Sequence, residues 1–268
     1  MMPINPMPRW IAVAVGISIL LSSLAIESIA GRVAGELGVA TDSESGNTDY
    51  DGRFVFVRLR YEMGLRAGIG GGFSRRDLPW AHDYPQAERN LTKILDEITS
   101  ISPFQGPNGG NILTLGDPTL HKFPFAYMSE PGFWTMTDTE ALGLRAYLQK
   151  GGFLVFDDFR GDHWFNFEHQ LRRVLPDARL VELDVSHKIF HSFFDIETLA
   201  MPWMYNLPPR FYGVYEDNDP NARLMIVANY NNDIGEYWEY SDSGWVPIDL
   251  SNEAYKFGVN YVMYAMTH

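Results

Sequence analysis

Two adjacent carboxylates, Asp157 and Asp158, directly follow the apolar run Phe153–Phe156, and His163 comes shortly afterwards. A continuous apolar run is typical of a strand that is buried on both faces of a parallel sheet. The carboxyl end of such a strand is where open α/β sheets bind ligands. Paired carboxylates there can hold a divalent metal or share a proton. The alternative is a polar strand exit in which an Asp caps the next helix and His163 packs among its aromatic neighbours.

A second histidine, His187, follows the predicted strand Leu180–Leu183 and belongs to a series of acidic and imidazole side chains. The series is Asp184, His187, His191 and Asp195. On a helix this spacing would place all four on one face and present two imidazoles to a metal. The segment resembles loop or strand more than helix, and Lys188 stands where a zinc protease has Glu. His187 is the stronger candidate of the two histidines for a ligand or metal role near the functional edge.

A glycine-rich segment separates the first predicted strand from the first predicted helix, which is where phosphate-binding loops occur. It contains Gly70, Gly71 and Gly72, and Trp80 lies at its far end. The segment lacks the Lys-Ser/Thr pair of a Walker motif, and the helix begins too far downstream for a dinucleotide fingerprint. We therefore expect a mobile loop that acts as a lid over the cleft.

The elements that must position these residues alternate between strand and helix. The predicted strands are Phe54–Leu59, Ile112–Leu115, Phe123–Met128, Phe153–Phe156, Leu180–Leu183 and Leu224–Ala228. Amphipathic helices lie between them, and one opens at a capping box formed by Thr137 and Glu140. The alternation predicts an α/β fold, a doubly wound and mostly parallel sheet with helices on both faces and the Phe153 strand at its centre.

Composition excludes several classes of protein. Hydrophobic residues make up 46% of the 268 residues, which indicates a folded chain. The 21 Lys and Arg against 34 Asp and Glu give a formal net charge of −13, which disfavours nucleic acid and anionic lipid surfaces as partners. The chain has no cysteine, which excludes disulfides, thiolate metal sites and cysteine nucleophiles.

The first 30 residues have the pattern of an export or anchoring signal. Arg9 precedes an apolar run over residues 11–26, and Ser28–Ala30 supplies the small-x-small site that signal peptidase reads. The run is short for a membrane-spanning helix. We predict a cleaved signal peptide, with an uncleaved membrane anchor as the alternative, and hence an exported (periplasmic or otherwise extracytoplasmic) protein.

Residues 31–52 are polar and are predicted to form a linker. Beyond them the strand and helix patterns continue without a second linker or an internal repeat. Residues 53–268 are therefore predicted to form a single α/β domain.

Four local strings resemble the bacterial domain-of-unknown-function family 4159. They are Trp80–Asn90, Leu148–Asp158, Ser186–Phe190 and Gly258–Tyr264. Members of that family are similar to the class I glutamine amidotransferase superfamily and often follow a signal or membrane segment. The resemblance therefore implies a flavodoxin-like α/β fold.

In the amidotransferase relatives, a strand similar to Phe153–Phe156 precedes the turn that carries the nucleophilic cysteine. Here Asp157–Gly161 occupies that turn, and the chain has no cysteine. The resemblance therefore does not carry glutaminase activity over to this chain.

Two functions remain open. The first is a noncatalytic, exported or membrane-tethered module that binds a small ligand or a partner protein of the cell envelope. The second is a hydrolase that uses Asp158, His163 and His187 around a divalent metal or as acid and base. Ligands of one ion must lie within about 5 Å of one another, so the distances between these side chains separate the two functions.

Overall fold

The computed structural model describes residues 46–63, 78–200 and 207–268. The predicted signal segment, most of the predicted linker and the loop glycines Gly70, Gly71 and Gly72 lie outside these residues. Within the described ranges, none of the helices is both long and apolar enough to cross a membrane.

The strands form one large sheet and one small one. They are β1 (Phe56–Arg60), β2 (Glu62–Met63), β3 (Gly110–Thr114), β4 (Phe125–Ser129), β5 (Trp134–Thr135), β6 (Phe153–Phe159), β7 (Val181–Glu182), β8 (Arg210–Tyr215) and β9 (Leu224–Tyr230). The large sheet has seven strands in the order β3-β1-β4-β6-β9-β8-β7. The first five in that order are parallel, whereas β8 and β7 join by antiparallel pairing. This confirms a mostly parallel α/β sheet with β6 at its centre.

Helices cover both faces of the sheet, as a doubly wound fold requires. They are α1 (Gln86–Ile98), α2 (Asp138–Gln149), α3 (His163–Val174), α4 (Ile234–Glu239) and α5 (Ile248–Thr267). Side chains along a strand alternate between the two faces of the sheet. Helices α1, α4 and α5 pack on the face that carries Tyr127 and Val155. On the other side, α2 and α3 pack against Met128 and Phe156. The fold is consistent with a flavodoxin-like arrangement.

The predicted capping box opens α2. The Thr137 hydroxyl accepts a hydrogen bond from the Glu140 backbone N–H, and the Glu140 carboxylate accepts one from the Thr137 backbone N–H. Together these bonds satisfy two amides that the helix itself leaves open, and the loss of such a cap costs about 1 kcal/mol.

Strand β6 is longer than the apolar run predicts. It continues through Asp157 and Asp158 to Phe159, and all seven of its residues are buried. Its pairing with β9 shifts register between Phe156 and Phe159, so the two carboxylates lie on an irregularity of the strand. The polar pair therefore does not end the strand; it bends the strand at the carboxyl edge of the sheet.

Polar residues of the predicted linker contact the edge strand β3. The Asn47 side-chain amide donates to the Ile112 carbonyl at 2.8 Å and its oxygen accepts from the Ile112 N–H at 2.8 Å. The Asn111 side chain pairs in the same way with the backbone of Thr48. The Asn47 side chain thus covers backbone groups of the sheet edge at Ile112, and the Asn111 side chain holds Thr48 beside that edge.

Candidate functional site

The two carboxylates of β6 have different surroundings. Asp157 accepts four hydrogen bonds, from the Tyr127 hydroxyl at 2.8 Å, the Asn229 amide at 3.0 Å, and the N–H groups of Ile234 and Gly235 at 2.9 Å each. Burial raises the pKa of Asp157 to about 6, and the hydrogen bonds oppose that rise. Its oxygens are committed to holding β4, β6, β9 and α4 together. Asp157 is therefore a structural anchor of the sheet edge.

Asp158 faces a histidine from a different part of the chain. Its Oδ2 lies 2.9 Å from Nδ1 of His82, which precedes α1. Asp158 has a φ of 56°, and Asp83, next to His82, has a φ of 65°. This left-handed region is uncommon for residues other than glycine and is found more often at functional sites. Two residues with left-handed backbone conformations, Asp83 and Asp158, therefore lie close together near the end of the central strand.

Asp83 is buried without the partners that a buried carboxylate normally has. Its Oδ1 lies 3.3 Å from His82 Nδ1, and its side chain is 0% exposed. Within the described ranges, neither of its oxygens has a hydrogen-bond partner. A buried polar group of this kind costs about 1–3 kcal/mol unless something compensates for it. Hydrogen bonds from the described residues thus do not compensate for the burial of the Asp83 carboxylate.

The segment from β9 to α4 completes the group. Asp233 is buried and caps α4 by accepting from the Glu236 N–H at 3.1 Å. Donor atoms of His82, Asp158 and Asp233 all lie within 4.8 Å of one another, and the same holds for His82, Asp83 and Glu236. We call these five residues the edge cluster. Imidazole and carboxylate ligands together suit ions such as Zn²⁺ and Mn²⁺.

The charges of the edge cluster repel one another. Burial raises the pKa of Asp83, and the neighbouring Asp233 and Asp158 raise it further. Burial likewise raises the pKa of Asp233, with Asp158 and Asp157 adding to the rise. The close contact with the Asp158 carboxylate raises the pKa of His82 to about 9. The cluster thus retains protons where a cation would otherwise balance the negative charge.

His163 lies close to the edge cluster without belonging to it. It is the first residue of α3, and its ring packs edge-on against Phe133, with 4.8 Å between ring centroids. Burial lowers the pKa of His163, and the charge of Asp158 opposes that shift. Among the described residues, the groups whose donor atoms converge within 4.8 Å do not include His163.

His187 is not brought to Asp158. It caps a short 3-10 helix, Lys188–His191, by accepting from the Ile189 N–H at 3.3 Å. Its ring centroid is 5.9 Å from that of Tyr215. Tyr215 pairs with Leu224 at the start of β9, whereas Asp158 lies near the end of that strand. The two predicted site residues are thus at opposite ends of the sheet.

Trp80 is the one predicted lid residue that the structure describes. It lies half-buried in a short 3-10 helix, Pro79–Ala81, just before His82. Its carbonyl accepts a hydrogen bond from Arg58 Nη1 at 3.1 Å. Trp80 therefore adjoins the edge cluster, and the lid stays a prediction.

Comparison with known proteins places the chain in a family. A search of curated proteins found no match. The sequence matches the family described as "Domain of unknown function (DUF4159)" over residues 55–266. This range takes in every strand and helix named above except the last residue of α5. The chain belongs to the DUF4159 family.

Proposed function

We propose that this domain binds a divalent metal ion at the carboxyl edge of its sheet, through His82, Asp83, Asp158 and Asp233, with Glu236 able to join them. The observation that carries the proposal is the buried Asp83 carboxylate, which has no hydrogen-bond partner among the described residues and faces His82.

A metal ion would offset two unfavourable electrostatic features of this site. It would balance several carboxylates that repel one another, and it would give the Asp83 oxygens a partner. Three independent segments supply the ligands: the loop before α1, the end of β6 and the start of α4. His82 shares two groups of three donor atoms that each lie within 4.8 Å of one another, one with Asp158 and Asp233 and the other with Asp83 and Glu236. One nitrogen with two carboxylate oxygens suits Mn²⁺ or Zn²⁺.

Metal binding is better supported than the hydrolase that combines Asp158, His163 and His187. Only Asp158 of these three belongs to the edge cluster. His163 is near enough for the charge of Asp158 to affect its pKa. His187 contacts Tyr215 at the other end of the sheet. Hydrolysis assisted by the metal would have to rely on the edge cluster and not on His187.

We also propose that the domain is an amidotransferase-like fold without glutaminase activity. Asp158 has a left-handed backbone near the end of the central strand, close to where such relatives carry their cysteine, and this chain has none. Purified protein should release no ammonia from glutamine. Ammonia release that Asp158→Asn abolishes would contradict this.

The sequence of residues 1–30 supports export or membrane tethering of the domain. Fractionation of cells that carry the tagged full-length protein, with N-terminal sequencing of the product, tests this. A cleaved product outside the cytoplasm, or an intact chain in the membrane fraction, is expected. Intact chain in the cytosolic fraction would overturn it.

The metal proposal is tested on the full-length protein after it has been stripped with EDTA. Melting curves with and without Mn²⁺ or Zn²⁺ should show an ion-dependent rise in Tm, because binding to the folded state alone stabilises it by mass action. Asp83→Asn should lose that response. Asp96→Asn, an exposed position on α1, should keep it.

A further inference from the structure

We infer that Arg58 is the positioning residue of the edge cluster and that it fixes the backbone from which His82 and Asp83 project. The inference rests on the proposed metal binding for its functional meaning. Its structural part stands on the contacts of Arg58 alone.

Arg58 contacts the site through the backbone. It lies in β1, and its side chain is 1% exposed. Its Nη1 donates to the carbonyl of Trp80 at 3.1 Å and to the carbonyl of His82 at 2.8 Å. These two carbonyls flank the peptide that leads into His82. The guanidinium therefore holds the segment at the point where its side chains turn toward the cluster.

A buried carboxylate and two aromatic rings hold the guanidinium itself. Its Nε donates to Glu88, on the first turn of α1. The guanidinium carbon Cζ of Arg58 lies 5.0 Å from the ring centroid of Tyr127 and 6.0 Å from that of Tyr84. Only a planar group with several fixed donors meets Glu88 and both carbonyls at once, so Lys cannot replace Arg58 without losing contacts.

The Arg58–Glu88 pair is not arranged for stability alone. Within the described part of the chain, Arg58 Nη2 and Glu88 Oε2 are buried without a hydrogen-bond partner. Burial raises the pKa of Glu88, and Arg58 opposes the rise. Buried ion pairs can often be replaced by apolar residues of similar volume without loss of stability. A role in holding the His82 segment explains why such a pair lies beneath the site.

The test compares the double variant Arg58→Met/Glu88→Leu with wild type in the full-length protein. Removing both charges avoids leaving one of them buried alone. Arg145→Met is the matched control, because Arg145 also donates to two carbonyls, those of Arg173 and Val174, away from the cluster. Hydrogen exchange of residues 78–84 is measured in EDTA, and the Kd for Mn²⁺ and Zn²⁺ is measured by calorimetry.

The double variant should exchange at least tenfold faster over residues 78–84 and bind metal at least tenfold more weakly. Arg145→Met should match wild type in both. Unchanged exchange over residues 78–84 would overturn the inference, and so would unchanged affinity in a protein that binds metal.

Two outcomes separate this inference from the proposed function. A wild type that binds neither ion refutes the metal site, and the exchange measurement still decides whether Arg58 holds the segment. If the double variant does not fold, Arg58→Lys takes its place with the same measurements, since it keeps the charge but not both carbonyl contacts. Wild-type exchange in Arg58→Lys would then overturn the inference.

Discussion

His82 Nδ1 lies 2.9 Å from Asp158 Oδ2, and this contact joins the loop before α1 to the end of the central strand β6. The neighbouring Asp83 brings a second carboxylate to 3.3 Å from the same nitrogen. The contact follows from topology: β1 lies next to β4, and β4 next to β6, so the segments that leave their carboxyl ends converge. The order of the strands thus brings the residues of the site together.

Asp83→Asn should stabilise the metal-free protein. The change removes one ionisable group from a set of buried carboxylates whose ionised forms repel one another. We expect a gain of about 1 kcal/mol in the free energy of unfolding, or a rise in Tm of about 3 °C. Urea denaturation in EDTA measures the gain. A large loss of stability would mean that Asp83 is a structural anchor like Asp157.

His82 should make stability depend on pH. Its pKa is about 9 in the folded protein against an ordinary value of 6.5. Its contribution is therefore complete below pH 6.5 and is lost as the pH rises to 9. Because the side chain is 37% exposed, solvent screening reduces the effect to about 1 kcal/mol.

This pH dependence is measured by denaturation in EDTA from pH 6 to 9.5. The stability advantage of wild type over His82→Gln should shrink across that window. His169→Gln, an exposed position on α3, controls for the loss of an imidazole. A constant difference between wild type and His82→Gln would refute the contact with Asp158.

Gly235→Ala should disrupt the edge cluster from the side of α4. A Cβ at this position would overlap Asp83 Oδ2 and come within 2.7 Å of the Tyr127 hydroxyl. Overpacking of this kind costs about 1–3 kcal/mol. The displaced Asp83 should also weaken metal binding at least tenfold. Gly116→Ala, whose Cβ would meet Glu140 Cγ at 3.4 Å, is the control and should change neither property.

Asp157→Ala should be the most destabilising substitution at this edge. It leaves the hydroxyl of Tyr127, the amide of Asn229 and two backbone N–H groups without their acceptor. We expect a loss of about 3–5 kcal/mol in the free energy of unfolding. Chemical denaturation, with Asp96→Ala as the exposed control, measures it. A loss below about 1 kcal/mol would contradict the anchoring role.

Most of the fold was predictable because its parallel strands are continuous apolar runs. The Phe153 and Leu224 runs both form strands near the centre of the sheet. The strand β8 was missed because Arg210–Tyr215 mixes charged, aromatic and glycine residues, and its pairing with β9 is antiparallel. Boundaries at the carboxyl ends were missed where buried polar residues continue a strand, as Asp157 does.

The site was predictable only in part. Asp158 follows from its place at the end of the central strand, but His82, Asp83, Asp233 and Glu236 carry no motif spacing. A signal existed in the polar residues Asn231–Asp233, which come soon after the Leu224 run, much as Asp157 and Asp158 come after the Phe153 run. The residues of the edge cluster come together only because certain strands are neighbours in the sheet. Periodicity in the sequence does not give the order of the strands.

The central claim is tested most directly by calorimetric titration of the EDTA-stripped, full-length protein with Mn²⁺ and Zn²⁺. Wild type and Asp96→Asn should bind one ion per chain, and Asp83→Asn and Asp158→Asn should bind at least a hundredfold more weakly. Affinity should rise with pH up to about 9, because the ion must displace the His82 proton. Binding that is absent in wild type, or equal in all four proteins, would contradict a metal site at the edge cluster.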